Sequence, residues 1–186
     1  MKLTAKEIWS IPNILSYIRL LLIPIFVYIY ITANSTSDYY VAALIILLSG
    51  LTDMFDGLIA RKFNQITELG KTIDPIADKL TQAAIVGCLM FRYDYMWILV
   101  LLLVVKELFM GINGLILLKK GKKLDGAMWF GKVSTAIFYA AAFILIAFPE
   151  ISPHYASLLM LITGVFLALS FILYIPEFLK LYRNPS

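Results

Sequence analysis

The chain has 186 residues, of which 61% are hydrophobic and only 15% charged, with a mean hydropathy of +0.87. That is long enough for one compact unit and too apolar for an ordinary soluble domain. The formal net charge of +4 sits on lysines and arginines that flank apolar runs, so it points to a membrane surface rather than to nucleic acid, and the single cysteine, Cys88, excludes an intrachain disulfide framework.

Spanning a bilayer takes about 20 mainly apolar residues. Before the first such run, residues 1–12 include "MKLTAKEIWS", where Leu3, Ile8 and Trp9 oppose Lys2, Lys6 and Glu7. This pattern predicts a short helix lying in the membrane interface, ended at Ile11-Pro12-Asn13. Six spans follow: Ile14–Thr32, Tyr39–Ala60, Pro75–Phe91, Tyr95–Leu118, Val133–Phe148 and His154–Leu179. The first is not read as a cleaved signal, because it is too long, holds Arg19 and Pro24, and lacks a small-residue cleavage site. Asp74-Pro75 predicts a helix start, with Asp74 as N-cap and Pro75 at the first helical position, and Ser152-Pro153 repeats the arrangement before span six. Gly121 and Gly126 interrupt the basic loop between spans four and five. The expected fold is an all-α integral membrane protein, with six transmembrane helices after a short interfacial helix and residues 1–186 forming a single domain.

Positive charge sets an expected orientation. Lys2, Lys6, Arg61, Lys62, Lys71, Lys119, Lys120, Lys122, Lys123, Lys132, Lys180 and Arg183 fall on one side of the predicted spans, against Arg92 alone on the other. Such a bias places both termini in the cytoplasm. Arg19, Lys79 and Lys106 fall inside spans. Trp97, Trp129 and Tyr39-Tyr40 lie near span ends, as an interfacial aromatic belt would.

The unusual stretch is "DMFDGLIARKFNQITELGKTIDPIADK", from Asp53 to Lys79. Asp53 and Asp56 are three apart and share a helix face; Asp74 and Asp78 are four apart and share another. If the two helices run antiparallel across the short loop, all four carboxylates meet at one membrane boundary. The plain alternative is a set of helix caps and solvated interface acids. Against it, four like charges repel strongly, and only Arg61, Lys71 and Lys79 lie nearby in sequence to offset them. Oxygen ligands without Cys or His suit hard divalent cations, Mg²⁺ or Mn²⁺, and two ions would balance the cluster better than one. Paired metals suit displacement at phosphorus. Gly57 and Ala60, about one turn apart, open a small-residue surface for a flat ligand or a packing helix. Gly70 reads as a close backbone approach or a positive φ. Arg61 reads as a phosphate or ribose ligand, or as a membrane anchor.

The pattern Asp53-x2-Asp56-Gly57-x2-Ala60-Arg61-x8-Gly70-x3-Asp74-x3-Asp78 matches every fixed position of the signature of CDP-alcohol phosphatidyltransferases, and the chain resembles that family over nearly its whole length. The resemblance implies transfer of a phosphatidyl group from CDP-diacylglycerol to an alcohol with release of CMP, a dimetal site, and a homodimer. It implies that Asp53, Asp56, Asp74 and Asp78 ligate metal, that Asp78 also serves as base, and that Gly57, Ala60, Arg61 and Gly70 cradle the CDP part. Within the family, "IPNILSYIRLLLIPIF" resembles the phosphatidylglycerophosphate synthases and the related cardiolipin synthases. The first group usually shows an Arg-Glu pair in span four and a further arginine, where this chain has Lys106-Glu107 and "GINGLIL"; "WFGKVSTA" resembles a Gly-Lys element of both groups.

Intramembrane cations are costly and call for anionic partners. Arg19, Lys106 and Lys132 are therefore candidates for an acceptor phosphate, although part of their charge can instead balance the aspartates. Lys79 reads as pairing with a neighbouring acid or snorkelling to the interface. The expected acceptor is glycerol 3-phosphate, with phosphatidylglycerol, as in a cardiolipin synthase, the alternative. A divalent-cation transporter would favour acids near the bilayer midplane on paired broken helices, and a scaffold gives no reason for the Gly, Ala and Arg spacing.

Overall fold

All described elements are helical, as expected of long apolar runs that must satisfy their backbone groups internally. The structure is a computed structural model that describes the backbone of residues 5–63, 67–122 and 128–183, and every side chain within them except those of residues 5, 6, 61 and 71. The helices are α1 (Ala5–Ile8), α2 (Ile11–Ile31), α3 (Thr36–Lys62), α4 (Gly70–Met90), α5 (Met96–Lys119), α6 (Trp129–Ala147) and α7 (Pro153–Arg183). Five of them, α2, α3, α5, α6 and α7, are long and apolar enough to cross a membrane, which makes the chain an integral membrane protein. The sixth expected span, α4, falls short of that standard although it has 21 residues. Lys71, Asp74, Asp78, Lys79 and Gln82 dilute its apolar surface.

Two boundaries depart from the sequence reading. Of the interfacial segment, the described residues include the helix α1 (Ala5–Ile8), and Lys2 and Leu3 lie outside them. The first long helix begins at Ile11 rather than Ile14, because Pro12 occupies its first turn, where the missing N–H would have had no partner anyway. Asp74 is not an N-cap, nor is Pro75 the first helical residue: α4 starts at Gly70, and both lie inside it. The start is held by Thr67, whose hydroxyl accepts the Gly70 N–H at 2.9 Å. The Ser152-Pro153 start does occur, with Pro153 opening α7. An unforeseen cap opens α3, where Asp38 Oδ2 accepts from the Ser35 N–H, the Ser35 hydroxyl and the Asn34 N–H, each at 2.9 Å. At the far end of α5, Gly121 takes φ 71° while the Lys122 N–H bonds Leu117 and the Gly121 N–H bonds Leu118. This left-handed stop is the one glycine makes cheap. Gly126 lies outside the described residues.

The chain divides into two compact units. The first holds residues 1–92 and 143–150, so it contains α1 to α4 and the end of α6. Here α2 packs extensively on both α3 and α4. Its buried face is apolar over Phe26 and Tyr30, and Tyr30 meets Tyr39 edge-on at 5.5 Å. Arg92, the one cation predicted on the outer side, stacks over Tyr39 at 4.9 Å and donates to the Pro149 carbonyl at 2.6 Å. Cys88 is buried in this unit, as a passive apolar residue would be.

The second unit holds residues 93–142 and 151–186, with α5 packed on α7. Leu117, Tyr174 and Phe178 form its buried centre, and Phe109 meets Phe178 edge-on at 5.5 Å. Gly131 is demanded by Tyr174: a Cβ there would collide with the phenol oxygen and lie 3.1 Å from Cζ. Lys122 donates to the Leu181 carbonyl at 2.9 Å, placing a cation at the negative end of α7.

Candidate active site

The first half of α2 carries a polar stripe where a lipid-embedded helix would ordinarily be apolar. Asn13, Ser16 and Arg19 follow at intervals of three and are all buried. Each engages a different part of the Asp53–Lys79 stretch. Arg19 is only 1% exposed, and a buried guanidinium requires carboxylate partners. It has two on α3: Nη1 lies 2.6 Å from Asp53 Oδ1, and Nη2 donates to Asp56 Oδ2. The Asp56 side chain is 5% exposed, whereas that of Asp53 is 49% exposed, so Arg19 clamps one buried and one open acid. Its Nε is buried without a hydrogen-bond partner.

One helical turn earlier, the Ser16 hydroxyl donates to Asp74 Oδ1 of α4. A further step back, Asn13 Nδ2 donates to the Glu7 carbonyl at 2.7 Å, and Asn13 Oδ1 accepts the Thr67 hydroxyl at 3.0 Å. On α4 itself, Gln82 Nε2 lies 3.3 and 3.2 Å from the two oxygens of Asp78, and Lys79 Nζ stands 3.8 Å from Asp78 Oδ2. The neighbouring-acid reading of Lys79 fits that distance.

Asp53 and Asp56 on α3 and Asp74 on α4 all engage the polar stripe of α2, on which both helices pack, while Asp78 meets Gln82 and Lys79 of its own helix. Among the described residues, no three Asp, Glu, His or Cys groups already stand close enough to hold one ion. The guanidinium of Arg19 holds one oxygen of Asp53 and one of Asp56 that a cation would need, whereas the hydroxyl of Ser16 holds only Oδ1 of Asp74. The donor set still has the right chemistry for a hard divalent ion: carboxylate oxygens from two helices, with no sulfur or imidazole among them.

The small residues sit beside these acids. Gly57 and Ala60 are half-buried on α3, one turn past Asp53 and Asp56; Arg61 continues that helix, and its side chain lies outside those described. Gly70 is a close approach, without a positive φ, and its neighbour is α2: a Cβ would lie 2.7 Å from Asn13 Oδ1 and 3.0 Å from Thr67 Oγ1. Of the other cation candidates, Lys106 is buried in α5 with Nζ 4.0 Å from Glu107 Oε1, too long for a hydrogen bond. Lys132 is exposed in the first turn of α6, and both lysines belong to the second unit.

Four residues that the sequence reading passed over shape this site: Asn13, Ser16, Thr67 and Gln82. Three of them had a legible signal, since Ser16 inside the first apolar span and Asn13 just before it are polar groups in register with Arg19. Gln82 follows Asp78 by one turn, a spacing that pairs side chains on a helix.

Comparison with known proteins agrees with the motif. The chain is 30% identical over 164 residues to the CDP-diacylglycerol--glycerol-3-phosphate 3-phosphatidyltransferase of Escherichia coli (strain K12), covering 87% of this chain and 90% of that one. The proteins of the same name from Shigella sonnei (strain Ss046) and Shigella flexneri serotype 5b (strain 8401) match with the same identity and coverage. The family model for CDP-alcohol phosphatidyltransferases matches residues 9–174, which take in α2 to α6, all four aspartates and most of α7. With that match extending over most of the chain, this protein belongs to the CDP-alcohol phosphatidyltransferase family.

Proposed function

We propose that this enzyme transfers the phosphatidyl group of CDP-diacylglycerol to glycerol 3-phosphate and releases CMP. The observation that carries the reading is the set of four motif aspartates on α3 and α4, three of which (Asp53, Asp56 and Asp74) bond to one face of α2, in a chain similar over 87% of its length to enzymes named for that acceptor. Asp53, Asp56, Asp74 and Asp78 would hold two Mg²⁺ or Mn²⁺ ions. Bound there, the ions would supply positive charge to the pyrophosphate and the leaving group.

The acceptor hydroxyl oxygen forms a bond to the phosphatidyl phosphorus, the bond from that phosphorus to CMP breaks, and CMP leaves with the electron pair. Asp78, partly open to solvent and steadied by Gln82, takes the hydroxyl proton. Gly57, Ala60, Arg61 and Gly70 form the cradle for the CDP part. For the acceptor phosphate, Lys106 comes first of the three candidates, because it is a buried charge on a long apolar helix. Lys132 is exposed, and Arg19 already meets two carboxylates.

An acceptor panel with labelled CDP-diacylglycerol tests the reading. Glycerol 3-phosphate is expected to be the fastest acceptor, with CMP released only when Mg²⁺ or Mn²⁺ is present. Turnover of phosphatidylglycerol in preference would make the enzyme a cardiolipin synthase. Use of inositol or serine, with neither phosphate-bearing acceptor consumed, would sink the assignment.

The same reading takes α4 as the sixth span, so that both termini and the site face the cytoplasm of a bacterial cell, with the chain working as a homodimer among membrane lipids. A cysteine placed at Lys122 in a chain lacking Cys88 is expected to resist impermeant labels in intact cells. Labelling from outside would overturn the orientation.

A further inference from the structure

We propose that Ser16 is a positioning residue: its hydroxyl fixes the Asp74 carboxylate so that Oδ2 is presented in one direction to the ion. The inference rests on the reading of the motif aspartates as metal ligands. A buried serine in a helix commonly turns its hydroxyl back to the carbonyl four residues earlier, and Ser16 has that option, with the Pro12 carbonyl 3.1 Å away. The single hydroxyl proton cannot serve both acceptors. Asp74 Oδ1 is the closer, and a carboxylate outcompetes a peptide carbonyl as acceptor.

Ser16 is fully buried, so no water competes for its hydroxyl proton. The register that brings the two together is set one turn below. Asn13, itself 1% exposed, bonds the Thr67 hydroxyl, and Thr67 caps the first turn of α4 at Gly70. Gly70 has no room for a Cβ against Asn13 Oδ1, so α4 is seated tightly on this part of α2. Asp74 lies one turn further along α4 and Ser16 one turn further along α2, which makes their contact a consequence of that seat. Residues that hold a ligand from behind commonly change metal affinity by about 10- to 100-fold when removed.

The test is a Mn²⁺ titration of the purified full chain in detergent, with free Mn²⁺ read by electron paramagnetic resonance and the melting temperature recorded for each variant. Ser16→Ala is expected to bind Mn²⁺ about 10-fold or more weakly while melting close to the parent. Ser16→Thr, which keeps the hydroxyl, is expected to recover most of the affinity. Asp74→Asn serves as the control for the underlying reading and is expected to weaken binding further. Parent-like Mn²⁺ affinity in Ser16→Ala, with Asp74→Asn impaired, would overturn the role of Ser16 and leave the ligand assignment standing. Parent-like affinity in Asp74→Asn as well would remove the ligand assignment itself. A fall in melting temperature that accounts for the whole affinity loss in Ser16→Ala, with no recovery in Ser16→Thr, would make Ser16 a packing residue and overturn the proposal.

Discussion

Asp53→Asn, Asp56→Asn, Asp74→Asn and Asp78→Asn are each expected to lower phosphatidyl transfer by roughly 100- to 1,000-fold, the range met when one preorganised charge is removed from a reacting centre. Asparagine keeps the shape and one oxygen but removes the charge, so the loss reports on electrostatics rather than on packing. The four variants should differ in stability. Asp53 is half exposed, so Asp53→Asn is expected to melt close to the parent. Asp56 is almost fully buried against Arg19, and removing one member of a buried pair costs up to about 3–5 kcal/mol. Transfer assays with labelled CDP-diacylglycerol, run beside thermal melts of the same preparations, separate the two effects. Parent-like rates in any two of these variants, or full activity in EDTA, would refute a catalytic metal site.

The parts of this protein that were legible in the sequence are those written as local pattern. Apolar runs gave the long helices, and the Asp, Gly, Ala and Arg spacing gave the family. Helix starts were less legible where a side chain from outside the helix does the capping. Asp74-Pro75 looks like a start in isolation, yet Thr67 begins the helix earlier and carries Asp74 into its second turn. The largest gap concerned α2. Nothing in the spacing of Asp53 to Asp78 says that their cation would come from Arg19, which is 34 residues before Asp53 by the numbering, 53 minus 19. The sequence reading looked for compensating charge first among Arg61, Lys71 and Lys79, the neighbours in the chain, and named Arg19 only together with Lys106 and Lys132 as charge that can balance the aspartates, whereas burial selected Arg19 as the neighbour in space. Gly70 shows the same limit. Its need for a bare backbone was readable, but the group that crowds it, Asn13, lies on another helix.

Arg19→Ala is expected to weaken both substrates together, rather than to raise the acceptor KM selectively as an acceptor-phosphate ligand would. The reason is the pair of contacts: Nη1 with Asp53 and Nη2 with Asp56 commit the fork of the guanidinium to motif carboxylates. Removing it leaves Asp56 buried without its cation, an expected loss of about 3–5 kcal/mol. The same change frees carboxylate oxygens, so a divalent ion should bind the variant at least as tightly as the parent. A ligand at 100 times its Kd adds about 2.7 kcal/mol to the folded state. Mg²⁺ is therefore expected to raise the melting temperature of Arg19→Ala by more than it raises that of the parent. Arg19→Lys should fall between, because an ammonium keeps the charge but cannot bridge two carboxylates in a planar fork. The measurements are steady-state kinetics with each substrate varied separately, and melts with and without Mg²⁺. One feature favours the opposite result: Nε of Arg19 is buried without a partner and remains a donor for a phosphate oxygen. If Arg19→Ala raised the acceptor KM alone and melted like the parent with or without Mg²⁺, that donor would be the important one. The clamp on Asp53 and Asp56 would then contribute little, because a guanidinium that neutralises two site carboxylates cannot be removed without a cost to the fold that Mg²⁺ repairs.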